Sequence, residues 1–197
     1  MVDLGHRDFR RDEFNDFAQA LGRVLLMWND LQVSLGGIFW ALTRIPNGLI
    51  PGAIWHSLKS DRAQREMTRA LAQLNATGHV VPLPLQESLT WLCGRLDALE
   101  THRNHLAHTP FVVSEGRITV LHLGQHVRGL QIVDKDPIAY CEWFYDYAAA
   151  LRDYAMALEN ALRGPDHSPP PKPGLPPDPK PPYGQKPLDR DLKDEGP

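Results

Sequence analysis

Cysteine is nearly missing from this chain. Cys93 and Cys141 are the only two, with no Cys-x-x-Cys pair. That excludes a disulfide scaffold and a zinc knuckle as organising devices, and it makes a reducing compartment the expectation. An excess of charge of one sign is also missing. The 21 Lys and Arg stand against 24 Asp and Glu, a net of −3, so no global basic field holds nucleic acid non-specifically. Long apolar runs are absent. The least charged long segment, Val24 to Thr43, holds Asp30 and is interrupted by Asn29, Gln32 and Ser34. Its apolar residues keep helical spacing, which reads as a buried helix and not a membrane span. The first residues, Met-Val-Asp-Leu-Gly-His-Arg-Asp-Phe-Arg-Arg, are charged where a secretory signal needs an apolar stretch. A soluble, cytoplasmic protein with no membrane partner is expected. Glycine-rich phosphate loops, nucleophile elbows and carboxylate dyads are absent as well, so NTPase, hydrolase and glycosidase readings lack support and no cofactor is expected.

Proline is scarce in most of the chain and crowded at one end. Residues 1–163 hold 6 of the 18 prolines and residues 164–197 hold 12. This divides the chain into a folded body of residues 1–163 and a proline-rich tail of residues 164–197. A body of that length buries roughly two-thirds of its unfolded surface without metals or disulfides. The tail has one aromatic residue and no apolar periodicity. It is expected to stay disordered, extended and solvated, although Pro169-Pro170-Pro171-Lys172-Pro173 also suits polyproline II recognition grooves.

Within the body, Phe14, Phe17, Leu21, Val24, Leu25, Trp28, Leu31, Leu35, Ile38, Phe39 and Leu42 recur at three- and four-residue steps, which predicts a first long helix from near Asp12. Gly36-Gly37 inside it implies either close packing or a kink. Pro46 to Pro51 make a turn, and a second helix is expected from about Ala53 to Asn75. Its ends are apolar, but its middle is Lys59-Ser60-Asp61-Arg62-Ala63-Gln64-Arg65-Glu66. Lys59, Arg62 and Arg65 either track an RNA backbone or form a solvated face with Asp61 and Glu66. Pro82 and Pro84 set the start of a third helix with a stripe of Leu85, Leu89, Leu92, Leu96 and Leu99. Continuing that spacing puts Arg103 where a leucine is due, before Leu106. Thr109-Pro110 closes it.

The β-rich runs Phe111–Val113 and Arg117–Leu123, with Ser114-Glu115-Gly116 between them, predict a hairpin. A further strand is expected at Leu130–Val133, so the β insertion spans about residues 111–133. Asp136-Pro137 is a cap and first-turn signal for a last helix to about Arg163, with Phe144, Tyr147, Leu151, Tyr154, Leu158 and Leu162 inward. The expected fold class is all-α: an antiparallel four-helix bundle with a small β-hairpin or meander inserted before the last helix. Trp55, Trp91 and Trp143 belong either to its core or to base stacking.

One stretch departs from core logic: Glu100-Thr101-His102-Arg103-Asn104-His105-Leu106-Ala107-His108. On a helix its polar residues are expected to share a broad sector. Cations near a helix C-terminus favour the macrodipole. Three histidines at three-residue steps match metal-binding spacing poorly, because helical ligand pairs sit four apart.

Arg103-Asn104-x-x-x-His108 resembles the signature of the HEPN superfamily, helical-bundle proteins with an Arg-x4–6-His motif near a helix end. An Arg-x4-His match arises by chance about 0.7 times in this composition, and Arg117-x4-His122 is a second one; requiring Asn after Arg lowers that to about 0.02. The resemblance implies a HEPN-like bundle and a metal-independent endoribonuclease, of the kind found in toxin or phage-defence systems. It also implies a homodimer facing two motifs across one cleft, an RNA substrate, and an antitoxin or regulatory protein as partner. Histidine titrates near pH 6.5 and suits either proton step; the forked guanidinium suits a phosphorane. His108 is thus the implied general acid or base, Arg103 the phosphate clamp and Asn104 an orienting partner, with His105 and His102 beside the substrate. The alternative is a non-catalytic HEPN-like dimer that binds RNA, a nucleotide or a protein partner.

Overall fold

A computed structural model describes residues 12–74, 80–114, 117–120, 136–165 and 167–177, with backbone alone at 113, 114, 117 and 119. The chain is mostly helical. The elements are α1 (Asp12–Thr43), α2 (Leu49–Ser57), α3 (Asp61–Gln73), α4 (Leu83–His108), β1 (Phe111–Ser114), β2 (Arg117–Val120) and α5 (Pro137–Arg163). No described helix is long and apolar enough to cross a membrane.

The long helices start and stop where local chemistry dictates. Asp136 Oδ1 accepts from the N–H groups of Ile138 (2.8 Å) and Ala139 (3.1 Å), capping α5 ahead of Pro137. Pro84 lies in the first turn of α4, and Thr109, with extended backbone before Pro110, ends it. The α4 stripe of Leu85, Leu89, Leu92, Leu96, Leu99 and Leu106 is buried, as are Phe144, Leu151, Tyr154 and Leu158 of α5. Tyr147 and Leu162 reach only half-burial, and Leu25 of α1 is exposed. α1 is unbroken through its glycine pair. Gly36 is there for close packing: a Cβ at this position would stand 3.3 Å from Trp55 Nε1.

The single helix expected from Ala53 to Asn75 is two. Leu58 is extended, and the Ser60 side chain accepts from Ala63 N–H at 3.2 Å, so α3 has its own cap. α2 also starts earlier, because Asn47 Oδ1 takes the Leu49 N–H at 3.0 Å. The inward face of α3 is Arg65, Thr68 and Ala72, while Met67 and Leu74 are exposed.

β1 and β2 pair antiparallel, with Phe111 opposite Val120 and Ser114 opposite Arg117. The hairpin is tied to α1: Phe17 and Phe111 rings lie 4.6 Å apart, and Ile118 N–H donates to Glu13 Oε1 at 3.1 Å. The turn residues Glu115-Gly116, the end of the second run to Leu123 and the strand expected at Leu130–Val133 lie outside the described residues, as do residues 178–197.

The tail expectation needs correction over residues 167–177. These have neither helix nor strand, yet they lie against the body. Leu175 packs on the core, Trp143 Nε1–H donates to Pro176 O at 3.4 Å, and Lys172 Nζ sits 5.5 Å from the Trp91 ring centroid. Proline chains carry little conformational entropy to lose, so a modest aromatic surface suffices to order them.

Candidate functional site

The last turns of α4 hold all five motif residues, and the helix stays regular through His108. At about 100° per residue, Arg103 and His108 then sit about 140° apart around the helix axis. The common polar sector expected for the five does not form. Leu99 and Leu106 point into the core, and His102 and Arg103 flank that line on opposite sides, each claimed by a different neighbouring helix.

Arg103 faces α1 and α3. Its Nη2 donates to Asp61 Oδ2 at 3.1 Å, and its guanidinium carbon lies 5.3 Å from the Trp28 ring centroid. Trp28 Nε1–H donates to the same Asp61 oxygen at 2.9 Å. One carboxylate therefore receives both an indole and a guanidinium, and the guanidinium lies over that indole's face. The Arg103 side chain keeps 22% of its surface exposed, and its Nε is buried without a hydrogen-bond partner among the described residues.

This contact is one end of a ladder. Arg65 is fully buried; its Nε donates to Asp97 Oδ1 at 2.7 Å and its Nη2 to Glu100 Oε2. Arg69 Nη2 donates to Asp97 Oδ2. Residues 61, 65 and 69 of α3 thus meet 103, 100 and 97 of α4 in reverse order, so the two helices run antiparallel. Burial alone would raise the Asp97 carboxyl, but hydrogen bonds from Arg69 and then Arg65, with their charge, hold it below its ordinary value. Neither sequence reading of Arg65 holds: it is not on a solvated face, and it is not open to an RNA backbone. Arg62, by contrast, is on the surface and pairs with Glu66 at 2.8 Å. A signal was present in the sequence, since complementary charges recur every four residues at 61, 65 and 69 and every three at 97, 100 and 103.

His102 faces α5. Its Nδ1 shares a hydrogen bond with Tyr140 Oη, and its ring lies edge-on to Trp143 at 5.0 Å. Tyr140 is buried and stacks on Trp143 at 5.3 Å. Asn104 and His105 are half-buried, and His105 Nδ1 is enclosed without a hydrogen-bond partner among the described residues. His108, in the final turn, is exposed. The structure therefore joins Arg103 to Asp61 and His102 to Tyr140, and it leaves His108 facing solvent. His102, His105 and His108 do not converge: among the described residues no three His, Cys, Asp or Glu side chains form a group able to hold a metal ion. Of the tryptophans, Trp55 and Trp143 are buried. Trp91 is half-buried, edge-on to Tyr154 at 5.3 Å.

No family model, no curated protein and no solved structure matches this chain. By its own structure it is a mostly helical protein with an ion-pair ladder around the buried Arg65, beside the Arg103–His108 segment.

Proposed function

We propose that the chain is a HEPN-like four-helix bundle, built on α1, α3, α4 and α5, that acts as a non-catalytic homodimeric binding module. The observation that carries this reading is the Asp61 carboxylate on Arg103. A guanidinium already matched by a carboxylate, with one face on Trp28, has little charge left for a phosphate. Arg103 then belongs to the helix-joining ladder, and Asn104 and His108, further round the helix, are what a ligand meets. That ligand is RNA, a nucleotide or a protein partner. Support for a dimer comes from Leu26 and Val33, two turns apart on α1 and largely exposed, and from exposed Leu49 and Ile50 of α2.

One observation favours a ribonuclease instead: His108 is exposed at the helix end, open to the His108 of a second copy. In that reading one imidazole takes the 2′-hydroxyl proton, another protonates the leaving 5′-oxygen, and a 2′,3′-cyclic phosphate remains.

A single experiment separates the two readings. Full-length protein, Arg103→Ala and His108→Ala are incubated with labelled RNA in EDTA, with circular dichroism and sedimentation as controls. The binding-module reading expects no cleavage by any of the three, and unfolding at lower urea for Arg103→Ala alone. EDTA-resistant cleavage by the parent, lost in both folded variants, overturns it in favour of the nuclease.

A further inference from the structure

The chain reverses after α5 and runs back along the seam between α4 and α5. Ring contacts set the frame. Trp91, early in α4, meets Tyr154, late in α5, while His102, late in α4, meets Tyr140 and Trp143, early in α5. The two helices are therefore antiparallel, and aromatic rings stand at two places on their seam, Trp91 with Tyr154 and His102 with Tyr140 and Trp143. Tyr147 extends the row, with its ring 5.4 Å from that of Trp143.

Onto this seam residues 167–177 lay Ser-Pro-Pro-Pro-Lys-Pro-Gly-Leu-Pro-Pro, following His167. Lys172 Nζ stands over Trp91, Leu175 packs against the core, and Pro176 O accepts the Trp143 indole N–H. The spacing closes. From Lys172 to Pro176 a polyproline II chain covers about 12 Å. The helix from Tyr154, beside Trp91, back to Trp143 covers about 16 Å, and the length of the lysine side chain makes up the difference. At the reversal His167 has a φ of 48°, a left-handed conformation uncommon for a residue with a Cβ.

We propose that the α4–α5 seam is a recognition groove for a proline-rich peptide in the polyproline II form, and that residues 168–177 are its resident ligand in cis. The chemistry is that of proline recognition generally. Aromatic faces pack the pyrrolidine rings, an indole N–H takes a backbone carbonyl that proline leaves without an intrachain donor, and a flanking cation lies on a further aromatic ring. A stiff ligand loses little entropy on docking. Tethering raises its local concentration, so the groove is filled by its own chain before any free peptide reaches it. A proline-rich segment of the same pattern, Lys-Pro-x-Leu-Pro, is the partner the groove takes once the resident segment is released.

The test uses full-length protein and a fluorescein-labelled peptide of residues 168–177. In the variant carrying Lys172→Glu and Leu175→Asp the resident segment is weakened. Peptide anisotropy is expected to report binding at least about tenfold tighter than to the parent, whose groove is occupied. Replacing Pro173 and Pro176 of the peptide by alanine is expected to abolish it. Absence of binding to a variant with parental circular dichroism overturns the proposal, as does equal binding of the two peptides. Trp143→Phe, which keeps an aromatic ring but lacks the indole N–H, is expected to weaken binding in the released background. A second readout does not depend on that variant folding: Leu175→Asp alone is expected to shift the Trp143 indole N–H resonance. An unmoved resonance also overturns the proposal.

Discussion

Arg103 and Asp61 meet at 3.1 Å between α4 and α3, and the same Asp61 oxygen holds the Trp28 indole of α1. Three helices are thus pinned at one carboxylate. Asp61→Ala leaves the nearly buried Trp28 N–H unpaired and is expected to cost about 1–3 kcal/mol. Arg103→Ala loses a partly exposed ion pair and a cation–ring contact, about 1–2 kcal/mol together. Urea unfolding followed by far-ultraviolet circular dichroism measures both, and a double-mutant cycle should show coupling between them. Two neutral single variants would remove Arg103 from the framework.

Arg65 is the most demanding residue in the fold. Its charge is out of water, so its two carboxylates must both be present. Arg65→Ala leaves Glu100 without its Arg65 bond and Asp97 with Arg69 alone, beside a void, and a loss of about 2–5 kcal/mol is expected. Arg65→Met with Glu100→Gln fills the void, removes the uncompensated charge and leaves the Arg69–Asp97 pair standing, and should recover much of that loss. A double variant less stable than Arg65→Ala would contradict this account.

Acid should weaken the same ladder. The Asp97 carboxyl, whose unfolded value is about 3.9, is held below that value by Arg69 and Arg65. A depressed folded value means that the stabilisation is complete above the unfolded one and is lost as pH falls through the folded one. Urea midpoints of the parent and Asp97→Asn should therefore differ most near neutrality and converge below about pH 4. A gap that persists at low pH would assign the effect to packing.

Both thiols should be inert in the folded protein. Burial pushes Cys93 up to about 11 and Cys141 up to about 12, so little thiolate exists at pH 8 and neither sulfur is accessible. A thiol-reactive disulfide reagent is expected to label neither residue until denaturant is added, and then both. Fast labelling of the native chain would show that one of these helix seams opens.

The long helices were legible because their apolar residues repeat at helical spacing and their ends carry caps. Asp136-Pro137 and Thr109-Pro110 lie where α5 begins and α4 ends. The break at Leu58–Ser60 was not legible, because Ser60 is both a tolerable helical residue and a good cap. The choice fell to the cap hydrogen bond. Arg103 stands out as a charge in a leucine stripe, but its partner, Asp61, lies 42 residues earlier in the chain. The charge spacing on α3 and α4 carried that information only when the two helices were considered together. The docking of residues 167–177 is not legible in the sequence, because composition measures how much surface a segment can bury by itself and is silent on a ready-made aromatic seam.

What this sequence determined alone was local: which stretches coil, where they are capped, and which side of each helix is oily. These follow from the 3.6-residue period and from bonds between near neighbours. Whether a charge is a site, a rung or a solvated group depends on what stands across from it. Antiparallel docking of α3 on α4 buried Arg65 and handed Arg103 to Asp61. The seam of α4 with α5 gave the prolines a place to lie. Coulomb and dispersion forces act across a few ångströms of space, whatever the distance along the chain, so only the assembled fold made those assignments.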